Sequence, residues 1–152
     1  MRKNNKMIVM DELSGSLYDP NWQENIKLVK QGFNPSYLVN FAKNAKISRD
    51  RIYLMLGLSR STVEKKIKDN ALLNLDQSER VLGLYKLVSK LSEMLSEKRD
   101  PNVSTACAML MEWLEAPMPT LNGKAPFELM DAADGRNVVL NLLEKIEAGS
   151  YA

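Results

Sequence analysis

Apolar residues recur at three- and four-residue spacing along most of this 152-residue chain, and no stretch alternates with period two for long. The pattern predicts an all-α fold. Trp22, Ile26 and Val29 stripe a first helix, opened by Asp19-Pro20 as cap plus first-turn proline and stopped at Gly32. Asn34-Pro35-Ser36 opens a second helix with Leu38, Phe41, Ala42 and Ala45 on one face. Ser48 can cap a third over Arg49–Leu56, where Ile52 and Leu56 lie one turn apart. Gly57 breaks it, Leu58 is apolar, and Ser59 or Ser61 caps a fourth helix with Val63 and Ile67 inward.

Asp76-Gln77-Ser78-Glu79 has capping-box spacing and predicts the start of the longest helix, which runs to about Lys98. Its stripe is Val81, Leu84, Val88, Leu91 and Leu95, widened by Leu82, Leu87 and Met94. So wide a stripe suits burial against the chain on both sides, or a dimer seam; the intramolecular core is favoured. Asp100-Pro101 starts another helix, with Val103, Ala106, Cys107, Leu110 and Leu114 inward and Pro117 and Pro119 as its stop. After the Asn122-Gly123 turn, Pro126 begins a helix of about two turns with Phe127, Leu129 and Met130. The last helix follows Asp134-Gly135 and buries Val139, Leu142, Leu143 and Ile146. At about 1.5–3 kcal/mol for each fully buried side chain, this region can hold together against the long helix. Residues 1–18 show no clear period and read as an extension, with Met7-Ile8-Val9-Met10 as a short strand or partner-binding arm.

Composition narrows the chemistry. The chain has no histidine, which removes imidazole bases, His-based triads and most zinc sites together. Its single cysteine, Cys107, excludes an internal disulfide and reads as a small core residue among Val103, Ala106 and Ala108. The carboxylate pairs Glu112/Glu115 and Asp131/Asp134 fall on solvated faces, with no phosphate loop, metal cluster or activated nucleophile beside them. The expectation is therefore no catalytic residue, no metal and no cofactor. No apolar run approaches the roughly 20 residues of a membrane span, and the N-terminal apolar run is too short for a signal peptide. A cytoplasmic protein is expected. The formal net charge of +2 hides an asymmetry: residues 1–72 carry 13 Lys/Arg against 7 Asp/Glu, a net of +6, and residues 73–152 carry 8 against 12, a net of −4. Such a split points to two partners of opposite character, although two solvated faces give the same totals.

The third and fourth helices, with their Gly-apolar-Ser turn, have the layout of a helix-turn-helix. Arg60, Ser61, Thr62, Lys65, Lys66 and Lys68 face outward on the second of them, with Arg49 and Ser59 flanking. That set combines base-edge readers (Arg60 and Thr62) with phosphate contacts (Lys65, Lys66 and Lys68). A plain helical hairpin with a basic solvated face has the same local pattern. Tyr53 falls where the first helix of such units carries a small residue, so either its ring turns outward or tight packing is not met.

From Gly32 to Ala152 the chain resembles an Xre/MbcA/ParS-type antitoxin of RES–Xre toxin–antitoxin pairs. The resemblance rests first on Leu56-Gly57-Leu58-Ser59-Arg60-Ser61-Thr62-Val63-Glu64-Lys65-Lys66, then on Leu75 with Ser78-Glu79-Arg80-Val81. C-terminally it rests on Trp113-Leu114, Pro117 and Leu121-Asn122-Gly123-Lys124-Ala125-Pro126-Phe127-Glu128-Leu129, and on Ile146-Glu147-Ala148-Gly149-Ser150-Tyr151-Ala152. Ala125 stands where the family often has Thr, and residues 1–31 have no clear counterpart.

The resemblance implies three parts: an N-terminal extension over 1–31, an Xre-like helix-turn-helix domain over 32–98, and a small helical toxin-binding domain over 99–152. It implies binding of a RES-domain, NAD-degrading toxin and obstruction of its active site, with autorepression at operator DNA. Homodimers and larger toxin–antitoxin hetero-oligomers are implied as well. Asn122, Lys124, Glu147, Gly149, Ser150, Tyr151 and Ala152 are the expected toxin-binding residues. Gly149 lets the chain leave the helix sharply, Tyr151 supplies an aromatic anchor, and Glu147 with the terminal carboxylate offers acceptors to a phosphate-binding site. Alternatively Tyr151 packs on Trp113 to close the domain. The competing function is a stand-alone helix-turn-helix repressor whose C-terminal part dimerises or senses an effector; an inhibitor that binds no DNA is the third possibility.

Overall fold

Periodic apolar faces become seven α-helices and two single 3-10 turns in the computed structural model, which describes residues 21–96 and 103–149. The helices are α1 (Trp22–Gln31), α2 (Ser36–Ala45), α3 (Arg49–Leu56), α4 (Arg60–Lys68), α5 (Leu75–Ser96), α6 (Val103–Leu114) and α7 (Ala133–Ala148). The 3-10 turns are Pro119–Leu121 and Pro126–Leu129, and there is no strand among the described residues. The fold is all-α, as expected. Asp19-Pro20, the Met7–Met10 run, Asp100-Pro101 and the expected end of the long helix near Lys98 lie outside the described residues.

α5 is the spine. It packs against α1, α6 and α7, and α2 lies on α6. Val81, Leu82, Leu84, Leu87 and Val88 are buried within the chain, while Leu91, Met94 and Leu95 of the same stripe are only half-buried. Polar groups on the same helix enter the core with partners. Ser78 is completely buried; its Oγ accepts the Phe33 N–H at 2.9 Å and donates to Leu73 O at 3.4 Å. The Tyr85 hydroxyl donates to Tyr37 O at 2.7 Å, and the Phe33, Tyr37, Phe41 and Tyr85 rings meet edge to face.

Several local expectations shift. α1 turns Asn25, Leu28 and Val29 inward and leaves Trp22 and Ile26 exposed, because the face that docks on α5 lies to one side of the apolar stripe. The long helix is capped two residues earlier than Asp76 suggests. Asn74 Oδ1 accepts the Gln77 N–H at 2.8 Å and Gln77 Oε1 accepts the Asn74 N–H at 2.9 Å, a reciprocal box. Asp76 is drawn instead to Arg80, one turn on. Val103 is exposed on α6, while Ala106, Cys107, Leu110, Met111 and Leu114 are buried. The helix expected after Pro126 is one 3-10 turn, closed when Glu128 Oε2 accepts the Ala125 N–H at 3.2 Å. Asp134-Gly135 is not a turn before the last helix but part of its first turn. Gly135 is needed there because a Cβ would run into Leu129 O.

Candidate functional site

The helix-turn-helix forms from its own local chemistry. Ser48 Oγ accepts the Arg51 N–H at 3.1 Å and opens α3; Ser59 Oγ accepts the Thr62 N–H at 3.3 Å and opens α4. Gly57, at φ 70°, closes α3 in the left-handed region. Ile52, Leu56 and Val63 are completely buried where the helices cross. Tyr53 does not turn outward: it is buried, and its hydroxyl donates to Glu64 Oε2 at 2.8 Å. Arg49 Nη1 donates to both Glu64 oxygens, at 3.0 and 3.2 Å. The Tyr53 hydrogen bond, opposed by desolvation and reinforced by Arg49, holds the Glu64 carboxyl below its ordinary pKa.

α4 presents Arg60, Ser61, Thr62, Lys65 and Lys68 to solvent, with Lys66 half-buried. Their resting partners lie within the unit. Arg60 pairs with Asp50 at 2.8 Å, Lys65 with Asp69 at 2.9 Å, and Ser61 with the Ser59 hydroxyl at 3.2 Å. Lys66 Nζ donates to Leu72 O at 3.1 Å and so ties α4 to the following turn. The Arg60 and Lys65 pairs are exposed, and exposed pairs of this kind exchange readily for a phosphate. Arg49 and Ser59 are committed to holding the unit together.

The C-terminal site residues fall into two groups. Asn122, at φ 59°, and Gly123, at φ 83°, make consecutive left-handed turns, with Lys124 exposed beside them. The loop closes on itself as Met118 N donates to Lys124 O and Gly123 N donates to Met118 O. Glu147 and Gly149 sit at the other end of α7, about 20 Å from its start at a 1.5 Å rise per residue. Gly149, at φ 74°, caps the helix with its N–H on Ile146 O and Lys145 O. Glu147 is held by the buried Lys90 of the spine at 3.0 Å. Ser150, Tyr151 and Ala152 lie outside the described residues.

Two arginines join these halves. Arg80 Nη1 donates to Leu56 O at 2.6 Å, at the end of α3, and to Asp131 O at 3.0 Å, before α7. Arg51 on α3 pairs with Glu115 at 2.9 Å, and its guanidinium lies 4.4 Å from the centre of the Phe127 ring. Arg51 and Lys90 were not singled out from the sequence, because nothing in local spacing shows which distant group a cation meets. The Ser-acid-Arg run does carry the Arg80 signal.

Comparison with known proteins decides the family. Residues 24–85 match the antitoxin Xre-like helix-turn-helix domain, and residues 108–149 match the antitoxin Xre/MbcA/ParS C-terminal toxin-binding domain. The Prs ADP-ribosylating antitoxin of Sphingobium sp. (strain YBL2) is 34% identical over 137 residues, covering 90% of this chain and 86% of that one. The chain belongs to the Xre/MbcA/ParS antitoxin family.

As an antitoxin of this family, it has a toxin for a partner. The toxin-binding match begins on α6 and ends on Gly149, so it contains the Asn122–Lys124 loop, the Arg51-clasped Phe127 and the whole of α7. The antitoxin's Cys107 is buried, which pushes its thiol up to about 12 and keeps it protonated. Among the described residues no three His, Cys, Asp or Glu side chains gather as metal ligands, and no helix is long and apolar enough to cross a membrane.

Proposed function

We propose that this antitoxin neutralises a RES-domain toxin that consumes NAD, by laying its C-terminal end into the toxin's active site. The observation that carries this is the anchored exit of α7. Lys90 grips Glu147 two residues before a left-handed Gly149, so α7 ends at a fixed point on the spine. Ser150, Tyr151 and Ala152 follow in sequence, and Tyr151 is the aromatic anchor at a site built for a phosphate-bearing dinucleotide. A helix end that is already held loses less freedom on binding than a frayed one. The name of the Sphingobium relative ties an antitoxin to ADP-ribosylation. Carried to this chain, it favours a toxin that cleaves NAD at the nicotinamide–ribose bond and passes ADP-ribose to an acceptor.

The same chain binds operator DNA through α4 and represses its own operon. Arg60 and Thr62 read base edges; Lys65, Lys66 and Lys68 meet phosphates. Two-fold operators ask for two such helices, so the antitoxin acts as a homodimer or within a larger toxin–antitoxin hetero-oligomer, in the cytoplasm. The test is a pull-down from the native host with the antitoxin tagged at its N-terminus. Recovery of a stoichiometric protein that consumes NAD alone and stops when the antitoxin is added supports the reading. Recovery of DNA fragments without such a protein favours the stand-alone repressor.

A further inference from the structure

α4 is held at the crossing by few contacts. Of its nine residues only Val63 is completely buried, with Ile67 partly packed behind it. Apolar contacts along one line of a helix, as at Val63 and Ile67, fix its distance from its neighbour but leave it free to roll about its own axis. Glu64 is the next residue round, about 100° further on. It is pinned from α3 by the Tyr53 hydroxyl at 2.8 Å and by Arg49 at 3.0 Å. Tyr53 and Arg49 are one turn apart, so both donors lie on one face of α3. Val63 and Glu64 together supply the two sheltered fixes that define a roll angle; the other tie to α3, Arg60 to Asp50 at 2.8 Å, is exposed to solvent. The tyrosine stands where a small residue is expected in such units; its ring is buried in the core and its hydroxyl is satisfied by this carboxylate.

We infer that Tyr53 is the positioning residue of operator recognition: its hydrogen bond to Glu64 sets the roll of α4 and so the register of Arg60 and Thr62 on the base edges. This rests on the proposed DNA-reading role of α4. A roll of about 10° moves side-chain tips on a helix roughly 6 Å in radius by about 1 Å. That shift takes a bidentate base contact out of hydrogen-bonding range. Contacts between flexible lysines and phosphates absorb it, so the loss falls on specificity and not on general DNA affinity.

The test uses the full chain and its Tyr53→Phe variant, which keeps the ring and removes only the hydroxyl. The probes are the duplex immediately upstream of the antitoxin's own coding sequence and an unrelated duplex of equal length. Tyr53→Phe is expected to lower the ratio of upstream to unrelated affinity about tenfold, the scale of one hydrogen bond to a charged group. The salt dependence should stay that of the native chain, since no phosphate contact is lost. Circular dichroism and toxin neutralisation should be unchanged. An unchanged ratio overturns the inference while leaving the DNA-reading role intact. A parallel loss on both duplexes with a flatter salt dependence also overturns it. Failure of the native chain to prefer the upstream duplex removes the DNA-reading role, and the inference with it.

Discussion

Lys90 of the spine and Glu147 of the last helix are joined at 3.0 Å across 57 residues of sequence. The lysine side chain is only 10% exposed and also meets Glu93 at 3.2 Å. Burial alone would push its pKa down, but the hydrogen bonds and charges of Glu147 and Glu93 outweigh burial and raise it. The pair secures the final turn of α7 on the spine, directly before the segment assigned to the toxin.

Replacing Glu147 by Gln leaves Lys90 with Glu93 alone. The expected cost is about 1–2 kcal/mol, read as a shift in the urea midpoint. The pH dependence has a definite sign. A raised lysine pKa contributes stability that is complete below the unfolded value of about 10.4 and is lost as pH rises through the folded value. The native chain should therefore lose more stability than Glu147→Gln above that pH, and the two should converge.

Gly149→Ala tests the exit geometry. A Cβ at Gly149 meets nothing within 4 Å, so the whole penalty comes from its φ of 74°. A stability loss of about 1 kcal/mol is expected. Because the strain is relieved by redirecting the chain beyond α7, toxin affinity should fall by more than the stability does. Calorimetric titration of the isolated toxin with native and variant antitoxin makes the comparison.

Arg80→Ala removes one donor from two carbonyls, Leu56 O at the end of α3 and Asp131 O before α7, which the guanidinium holds side by side. A loss of about 1–3 kcal/mol is expected. Lysine should not restore it, because one ammonium lacks the planar fork that spans both carbonyls and Asp76. Amide exchange should quicken in α3 and at the start of α7 together; quickening at one end alone contradicts a bridging role.

Glu64 should titrate below the ordinary glutamate value in the native chain and move up toward it in Tyr53→Phe. A depressed carboxyl pKa contributes stability that is present above the unfolded value and lost as pH falls through the folded one. Native and variant stabilities should thus differ at neutral pH and converge in acid. Carboxyl-carbon NMR of Glu64 gives both titrations directly.

The sequence carried the helices whose determinants are local. Ser48, Ser59 and Gly57 act on neighbouring residues, and they delimit α3 and α4 as their spacing implies. The spine was legible because its stripe is wide enough to survive any choice of partner. Trp22 and Ile26 misled, because apolar spacing says which residues share a face but not whether that face docks. Asp76 looked like the cap of the spine, yet Asn74 and Gln77 form the reciprocal pair while Arg80 claims the aspartate. Tyr53 was read against tight packing since its partner, Glu64, is visible only once the helices cross. At the candidate site, Gly149 could be placed from its position after α7, whereas the hold of Lys90 on Glu147 depends on tertiary packing.

The central claim is that the end of the chain is the inhibitory element. The most direct measurement is NAD consumption by the purified cognate toxin with native antitoxin and with a chain lacking Gly149–Ala152. The account expects the native chain to stop consumption and the shortened one to leave it running, with both chains equally helical. Equal inhibition by the shortened chain would contradict the claim and move the inhibitory contact to the Asn122–Lys124 loop or the face of α7.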